Sequence, residues 1–168
     1  MHGSIGPSAA AAEADGLGGL KIWTHSQGIQ FLKTSISEAL GVSLEGLVIQ
    51  HIPGAGCYGH NGADDAAFEA ALLALALPGR PVLLKWSRDD EHAWEPYGSA
   101  MSMELRASLD TDGTVIDWSH ESYSDTHLGR PRPKLGDEGA SRFLAALLRE
   151  NPTPPFRPKS RARPDARV

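Results

Sequence analysis

The chain has 168 residues, 40% hydrophobic and 22% charged, which fits one folded domain and excludes pervasive disorder, a collagen or a coiled-coil rod. Its single cysteine, Cys57, excludes an intrachain disulfide framework, and no apolar run approaches the ~20 residues of a membrane span. The net charge of −5 is uneven: residues 1–127 hold 6 Lys/Arg and 17 Asp/Glu, residues 128–168 hold 10 and 4, so an acidic body unsuited to nucleic acid carries a basic extension.

Met1-His2-Gly3-Ser4 lacks the basic start and apolar segment of a signal peptide, and reads as a chain entered partway through a domain. Ser8–Ala14 is alanine-rich and compatible with a short strand or a helical turn. After the turn at Gly16–Gly19, Leu20–Thr24 alternates apolar and polar like a half-buried strand. Ser26 stands where an N-cap belongs, Ile29, Leu32, Ile36, Ala39 and Leu40 follow at helical spacing, and Gly41 suits the C-cap. Leu47–Ile52 is a second strand, closed by Pro53. A glycine-rich loop covers Gly54–Gly62. Asp64 and Asp65 open a helix that runs to Leu77, their charge favourable at its N-terminus.

Pro81–Trp86 is a third strand and Arg88–His92 a charged turn or short helix. Ser99–Leu109 alternates, Asp110–Gly113 is a hairpin turn, and Thr114–Ser122 pairs back. Leu135–Glu150 has the spacing of one amphipathic helix. Asn151–Val168 holds five of the twelve prolines and reads as an extended or disordered tail. The fold class is α+β with α/β-like character: a mixed β-sheet with crossover helices, plus a β-hairpin. Residues 1–127 form the body, and residues 128–168 a basic, proline-rich helix and tail.

The loop Gly54-Ala55-Gly56-Cys57-Tyr58-Gly59-His60-Asn61-Gly62 follows a strand and precedes a helix. Glycines at this density let backbone approach a ligand and present N–H groups to an anion. The loop contains G-x-G-x-x-G, so a nucleotide-binding, Rossmann-like domain using Gly54–Gly59 is one alternative. Against it, His60–Ala63 separate the glycines from the helix, and Asp89 and Asp90 come too late for the ribose acid. No Gly-Lys-Ser/Thr of a Walker loop is present. The seven histidines include no helical i, i+4 pair, which argues against direct metal ligation. Cys57 is more readily inert than nucleophilic. Gln27 sits at the carboxyl edge of a strand, where α/β folds place ligands. Arg88–Glu91 is a structural charge cluster or a site, and Trp94–Tyr97 reads as packing.

Thr24-His25-Ser26-Gln27-Gly28, the loop Gly54–Gly62, Gly79-Arg80-Pro81-Val82 and Arg88-Asp89-Asp90-Glu91, in that order, resemble the xanthine dehydrogenase/aldehyde oxidase family. The nearest likeness is to the molybdopterin-binding large subunit of bacterial isoquinoline 1-oxidoreductase and nicotinate dehydrogenase types. It runs from about His2 to Arg132 and covers a minor, internal part of a family subunit. The resemblance implies that Gln27 lies beside the molybdenum centre, and that Gly54, Gly56, Cys57, Tyr58 and Gly59 present backbone amides to the cofactor. The sequence departs from the pattern where Cys57-Tyr58 replaces a Phe-Gly step and His60-Asn61 replaces Gly-Lys or Gly-Arg.

The resemblance further implies a molybdenum-bearing molybdopterin, plain or as its cytosine dinucleotide, and hydroxylation of an aromatic N-heterocycle or aldehyde with oxygen from water. No residue here matches the family's glutamate base, and one cysteine cannot hold a [2Fe–2S] cluster. Neither catalytic nor metal-ligating residues are therefore expected in this chain. The implied partners are an iron–sulfur subunit and the remainder of the large subunit. The implied location is cytoplasmic, with export alongside a folded partner as the alternative. The chain alone is expected to be incomplete and inactive, with exposed apolar surface. A non-enzymatic fragment that docks on other subunits is the second alternative.

Overall fold

The computed structural model describes residues 1–124, 130 and 143–152. They fall into two units: residues 1–97 with 130 and 143–152, and residues 98–124.

In the first unit, β1 (Ala9–Ala14), β2 (Leu20–Thr24), β3 (Leu47–His51) and β4 (Val82–Lys85) form one sheet in the order β3-β2-β1-β4. β2 and β3 are parallel and joined through α1 (Ile29–Leu40); β1 runs antiparallel to both β2 and β4. The alanine-rich segment is thus an interior strand. Alanine is a poor strand former, but here both edges of β1 are paired. Ala10, Ala12 and Ala14 are buried on the face that meets α2 (Ala63–Ala76). α2 carries its own alanines toward the sheet, and small side chains on both sides allow close approach. It is buried nearly all round from Ala63 to Ala71, as expected of a helix without a polar stripe.

Leu20, Ile22 and Leu47 complete the sheet's buried face, with Leu32 and Ile36 of α1 packed into the same core. Phe68 of α2 stacks on Phe143, ring centroids 4.4 Å apart and both rings fully buried. Of the helix expected over Leu135–Glu150, residues 135–142 lie outside the described residues. Within the rest, Phe143 is extended and only α4 (Leu144–Leu147) is helical. The Leu144 N–H donates to Asp65 Oδ1 at 2.9 Å, so a side chain of α2 starts this turn where the spacing suggested a continuing helix. The tail beyond residue 152 lies outside the described residues.

Ser26 does not cap α1 in the expected way. The helix starts at Ile29 with Gly28 as its N-cap, and no side chain caps it. The Ser26 hydroxyl instead donates to Asp64 of α2 and accepts from the Gly28 N–H at 3.2 Å. Gly41 does close the helix, in the left-handed conformation at φ 68°.

α3 (Arg88–Trp94) is a structural clamp. Ser87 and Asp90 form a capping box. The fully buried Glu91 accepts from the Ser8 N–H at 2.7 Å, the Ser8 hydroxyl at 2.9 Å and Arg88 at 2.6 Å. Arg88 also donates to the Ser4 carbonyl at 2.6 Å. The segment before β1 is thereby tied to α3. Trp94 and Tyr97 are not core residues as expected, being more than half exposed; the buried residue between them is Glu95, which accepts from the His2 N–H.

The second unit is a hairpin of β5 (Met101–Leu109) and β6 (Val115–Ser124). Its turn forms as the sequence indicates. Asp110 Oδ1 accepts from Asp112 and Thr114, each at 2.9 Å, and Gly113 takes φ 85°. Met101, Met103, Leu105 and Leu109 share one face with Trp118, and every residue of both strands is exposed.

Candidate functional site

Strands β2 and β3 are parallel neighbours, so the segments leaving their carboxyl ends lie together. These are His25–Gly28 and the loop Gly54–Gly62. The Ile52 N–H donates to the Thr24 carbonyl at 2.8 Å, and His51 Nδ1 lies 3.1 Å from the Ser26 carbonyl. Gln27 is exposed at this edge of the sheet.

Left-handed backbone recurs through the loop. Gly56 has φ 89°, Tyr58 φ 55° and Gly59 φ 130°. Tyr58 is the only described non-glycine residue with positive φ, a conformation that costs free energy and persists where surroundings enforce it. The glycines also make room for rings of the same chain. A Cβ on Gly54 would come within 2.6 Å of the His25 side chain, one on Gly56 within 2.6 Å of the Tyr58 ring, and one on Gly59 within 2.5 Å of His2.

Three of the loop's carbonyls are taken up by donors of the same chain. Ala55 accepts from the Ile5 N–H at 3.1 Å. Gly56 accepts from Asn61 Nδ2 at 3.3 Å, and Gly59 from Cys57 Sγ at 2.9 Å. Among the described residues, none of the backbone N–H groups from Gly54 to Gly59 meets an acceptor. Consecutive donors left in this way form a surface suited to oxygen ligands or anions.

Arg130 joins these parts. Its Nη2 lies 2.7 Å from the Gly59 carbonyl, 3.0 Å from Gln27 Oε1 and 3.2 Å from Cys57 Sγ. Its Nη1 lies 3.7 Å from Asp64 Oδ2, and His60 Nε2 lies 3.2 Å from the same oxygen. Burial alone would raise the Asp64 pKa. The His60 ring beside it, the hydrogen bond from the Ser26 hydroxyl and the charge of Arg130 outweigh it and hold the carboxyl below its ordinary value. The next residue behaves oppositely. Burial pushes Asp65 up to about 7, against the bond from the Leu144 N–H and helped by the nearby Asp64 and Glu69.

A charged, buried Asp64 at the N-terminus of α2 occupies the position that a nucleotide phosphate would take in the Rossmann alternative. Two anions there would repel in a poorly solvated setting. The left-handed glycines of the loop also end at Gly59, while the helix begins only at Ala63.

His25 faces the other side of the loop. Burial holds its imidazole below the ordinary value, and Nε2 accepts from the Ala9 N–H at 3.3 Å. It lines a cleft of about 280 Å³ with Pro7, Trp23, Pro53, Gly54 and Leu83. This cleft is largely apolar, in contrast to the donor surface of the loop. Among the described residues, no three His, Cys, Asp or Glu side chains gather as a metal site.

All six expected site residues, Gln27, Gly54, Gly56, Cys57, Tyr58 and Gly59, therefore lie on adjacent segments. Sequence reasoning missed Arg130, His2 and the link between Ser26 and Asp64. Nothing local marks them: Arg130 is 71 residues from Gly59, and His2 reaches the loop from the chain's other end.

A family model for the molybdopterin cofactor-binding domain matches residues 1–131. One subunit of the nicotinate dehydrogenase of Pseudomonas putida is 36% identical over 148 residues, which is 88% of this chain and 12% of that protein. The chain thus spans a small part of the curated relative it matches. Among solved structures, quinoline 2-oxidoreductase from Pseudomonas putida 86 is similar with a TM-score of 0.54 at 20% identity, over 72% of this chain and 16% of the other. CO dehydrogenase from Oligotropha carboxidovorans is similar with a TM-score of 0.55 at 16% identity, over 72% and 15%. At these identities the two structures speak for the fold, which agrees with the α+β expectation. Among the described residues, no helix is long and apolar enough to cross a membrane. With the family model covering most of its length, the chain belongs to the molybdopterin cofactor-binding domain family of the xanthine dehydrogenase/aldehyde oxidase oxidoreductases.

Proposed function

We propose that residues 1–127 form part of the molybdopterin-facing surface of a molybdenum hydroxylase, with residues 128–168 as its basic extension. One observation carries this reading: the carbonyls of Ala55, Gly56 and Gly59 have donors within the chain, while the N–H groups of Gly54–Gly59 have no acceptor among the described residues. The donor set fits an oxygen-rich cofactor, since preformed amides bind such atoms without reorganising. In this reading Gln27 and the amides of Gly54, Gly56, Cys57, Tyr58 and Gly59 orient the cofactor, and no residue of the chain performs the proton transfer. When bound, a molybdenum-bearing molybdopterin, plain or as its cytosine dinucleotide, would supply the two-electron oxidation with water as the source of oxygen.

The substrate class is an aromatic N-heterocycle or an aldehyde. Cys57 alone cannot ligate a [2Fe–2S] cluster, so clusters that would accept the electrons lie outside this chain and are assigned here to an iron–sulfur subunit. The remainder of a large subunit supplies the rest of the site, and the assembly works in the cytoplasm or is exported folded. The hairpin favours a docking role alongside this one. Its apolar face, with Met101, Met103, Leu105 and Trp118 all more than half exposed, needs cover from elsewhere.

Gly56→Val tests the reading, because a branched side chain cannot take φ 89° or share space with the Tyr58 ring. The protein is prepared from a host that makes the cofactor, together with the iron–sulfur subunit. Pterin content, read as fluorescence after oxidation, should fall roughly tenfold, the result of losing ~1.4 kcal/mol of binding. Unchanged pterin content with an intact thermal transition would remove the loop from the binding surface.

A further inference from the structure

Arg130 lies outside every motif of the sequence, yet separate pieces of the candidate site meet on it. Gln27 comes from the end of β2, Cys57 and Gly59 from the loop, and Asp64 from the first turn of α2. We propose that Arg130 is a positioning residue that sets which atoms of the loop and of Gln27 face outward.

Two contacts define the role. By taking the Gly59 carbonyl at 2.7 Å, Arg130 fixes the peptide that follows two left-handed residues, Tyr58 and Gly59. That backbone is strained at Tyr58 and needs an external hold. By taking Gln27 Oε1 at 3.0 Å, it also decides the orientation of the Gln27 amide and leaves Nε2 as the donor. The same guanidinium therefore occupies an acceptor on each segment and leaves N–H donors as the groups open to a ligand. The rigid guanidinium plane holds Nη2 against Gln27, Cys57 and Gly59 while Nη1 faces Asp64, a spaced two-sided contact that a single ammonium nitrogen does not reproduce. Asp64, kept ionised among Ser26, His60 and Arg130, balances the charge.

The purpose assigned to this arrangement rests on the cofactor reading above; the arrangement itself does not. The only cysteine of the chain sits inside it, so Cys57 reports on the latch without any other thiol interfering. The test is the alkylation rate of Cys57 by iodoacetamide in the full chain, measured at a pH high enough that the thiol is fully ionised. At that limit the rate reads access and the hold of the guanidinium on sulfur. In Arg130→Gln the limiting rate should rise roughly tenfold, as when one hydrogen bond to a charged group is lost. Arg130→Lys keeps the charge without the fork and should give an intermediate rise. It also serves if Arg130→Gln loses its cooperative thermal transition. Arg149→Gln, which removes a surface bond to the Ala39 carbonyl, should leave the rate unchanged.

Equal limiting rates in wild type, Arg130→Gln and Arg130→Lys would overturn the proposal. A raised rate together with reduced pterin content supports both the latch and the cofactor reading. A raised rate in a protein whose wild type holds no pterin supports the latch and counts against the cofactor reading.

Discussion

Ile22 of β2 and Leu105 of β5 both occupy the apolar positions of an alternating strand, yet Ile22 is fully buried and Leu105 is 54% exposed. In the first unit, α1 and α2 follow their strands and lay a second layer over one face of the sheet. Among the described residues of the second unit there is no such layer, and Met101, Met103, Leu105 and Trp118 remain open together. Alternation therefore announces that one face of a strand wants cover. It does not say who supplies that cover. For the hairpin, the need points beyond its own two strands, since an isolated two-stranded sheet is marginal in water.

Three substitutions sharpen this contrast. The largest effect belongs to Phe68→Ala, which removes a fully buried ring from its stack with Phe143. A loss of roughly 3–5 kcal/mol is expected from the cavity and the lost transfer energy. Urea unfolding followed by tryptophan fluorescence would measure it, and a loss below about 1 kcal/mol would show that the core is not organised around this stack.

The next effect is a pH dependence. Asp65 is raised from 3.8 to about 7, so the native state holds a proton that the unfolded state has released. Its burial is thus without penalty below about pH 4, costs stability increasingly as pH rises toward about 7, and costs a constant amount above that. Asp65→Asn keeps an acceptor for the Leu144 N–H and removes the charge. Relative to wild type it should gain up to about 4 kcal/mol between about pH 4 and about pH 8. Parallel stability curves for the two proteins would mean that Asp65 titrates normally.

The smallest effect is expected in the hairpin. Leu105→Ser should change the unfolding free energy of the chain by less than about 0.5 kcal/mol, as at an exposed position. The same variant should weaken association with a partner that covers this face. A large intrinsic destabilisation would show that the face is already covered within the chain.

How much of this was legible depended on whether the cause was local. α1 with its glycine C-cap, α2 with two aspartates in its first turn, and the Asp110–Gly113 turn follow from side chains acting within a few residues. β1 did not announce itself, because Ala9–Ala14 becomes a strand through pairing with β2 and β4 rather than through propensity. Ser26 was legible as a polar side chain near a helix start but not as a partner of Asp64, 38 residues away. The helical spacing over Leu135–Glu150 failed at Phe143, where stacking on Phe68 and the bond from Leu144 to Asp65 favour an extended residue. The loop and Gln27 were visible as a motif. The guanidinium that joins them was not, because it arrives from far along the chain.

The most direct measurement is the molybdenum and pterin content of this chain purified with an iron–sulfur subunit from a host that makes the cofactor. If the donor surface of Gly54–Gly59 and Gln27 faces molybdopterin, the metal and the oxidised pterin will co-purify in equal amounts. A folded complex that carries neither would contradict it.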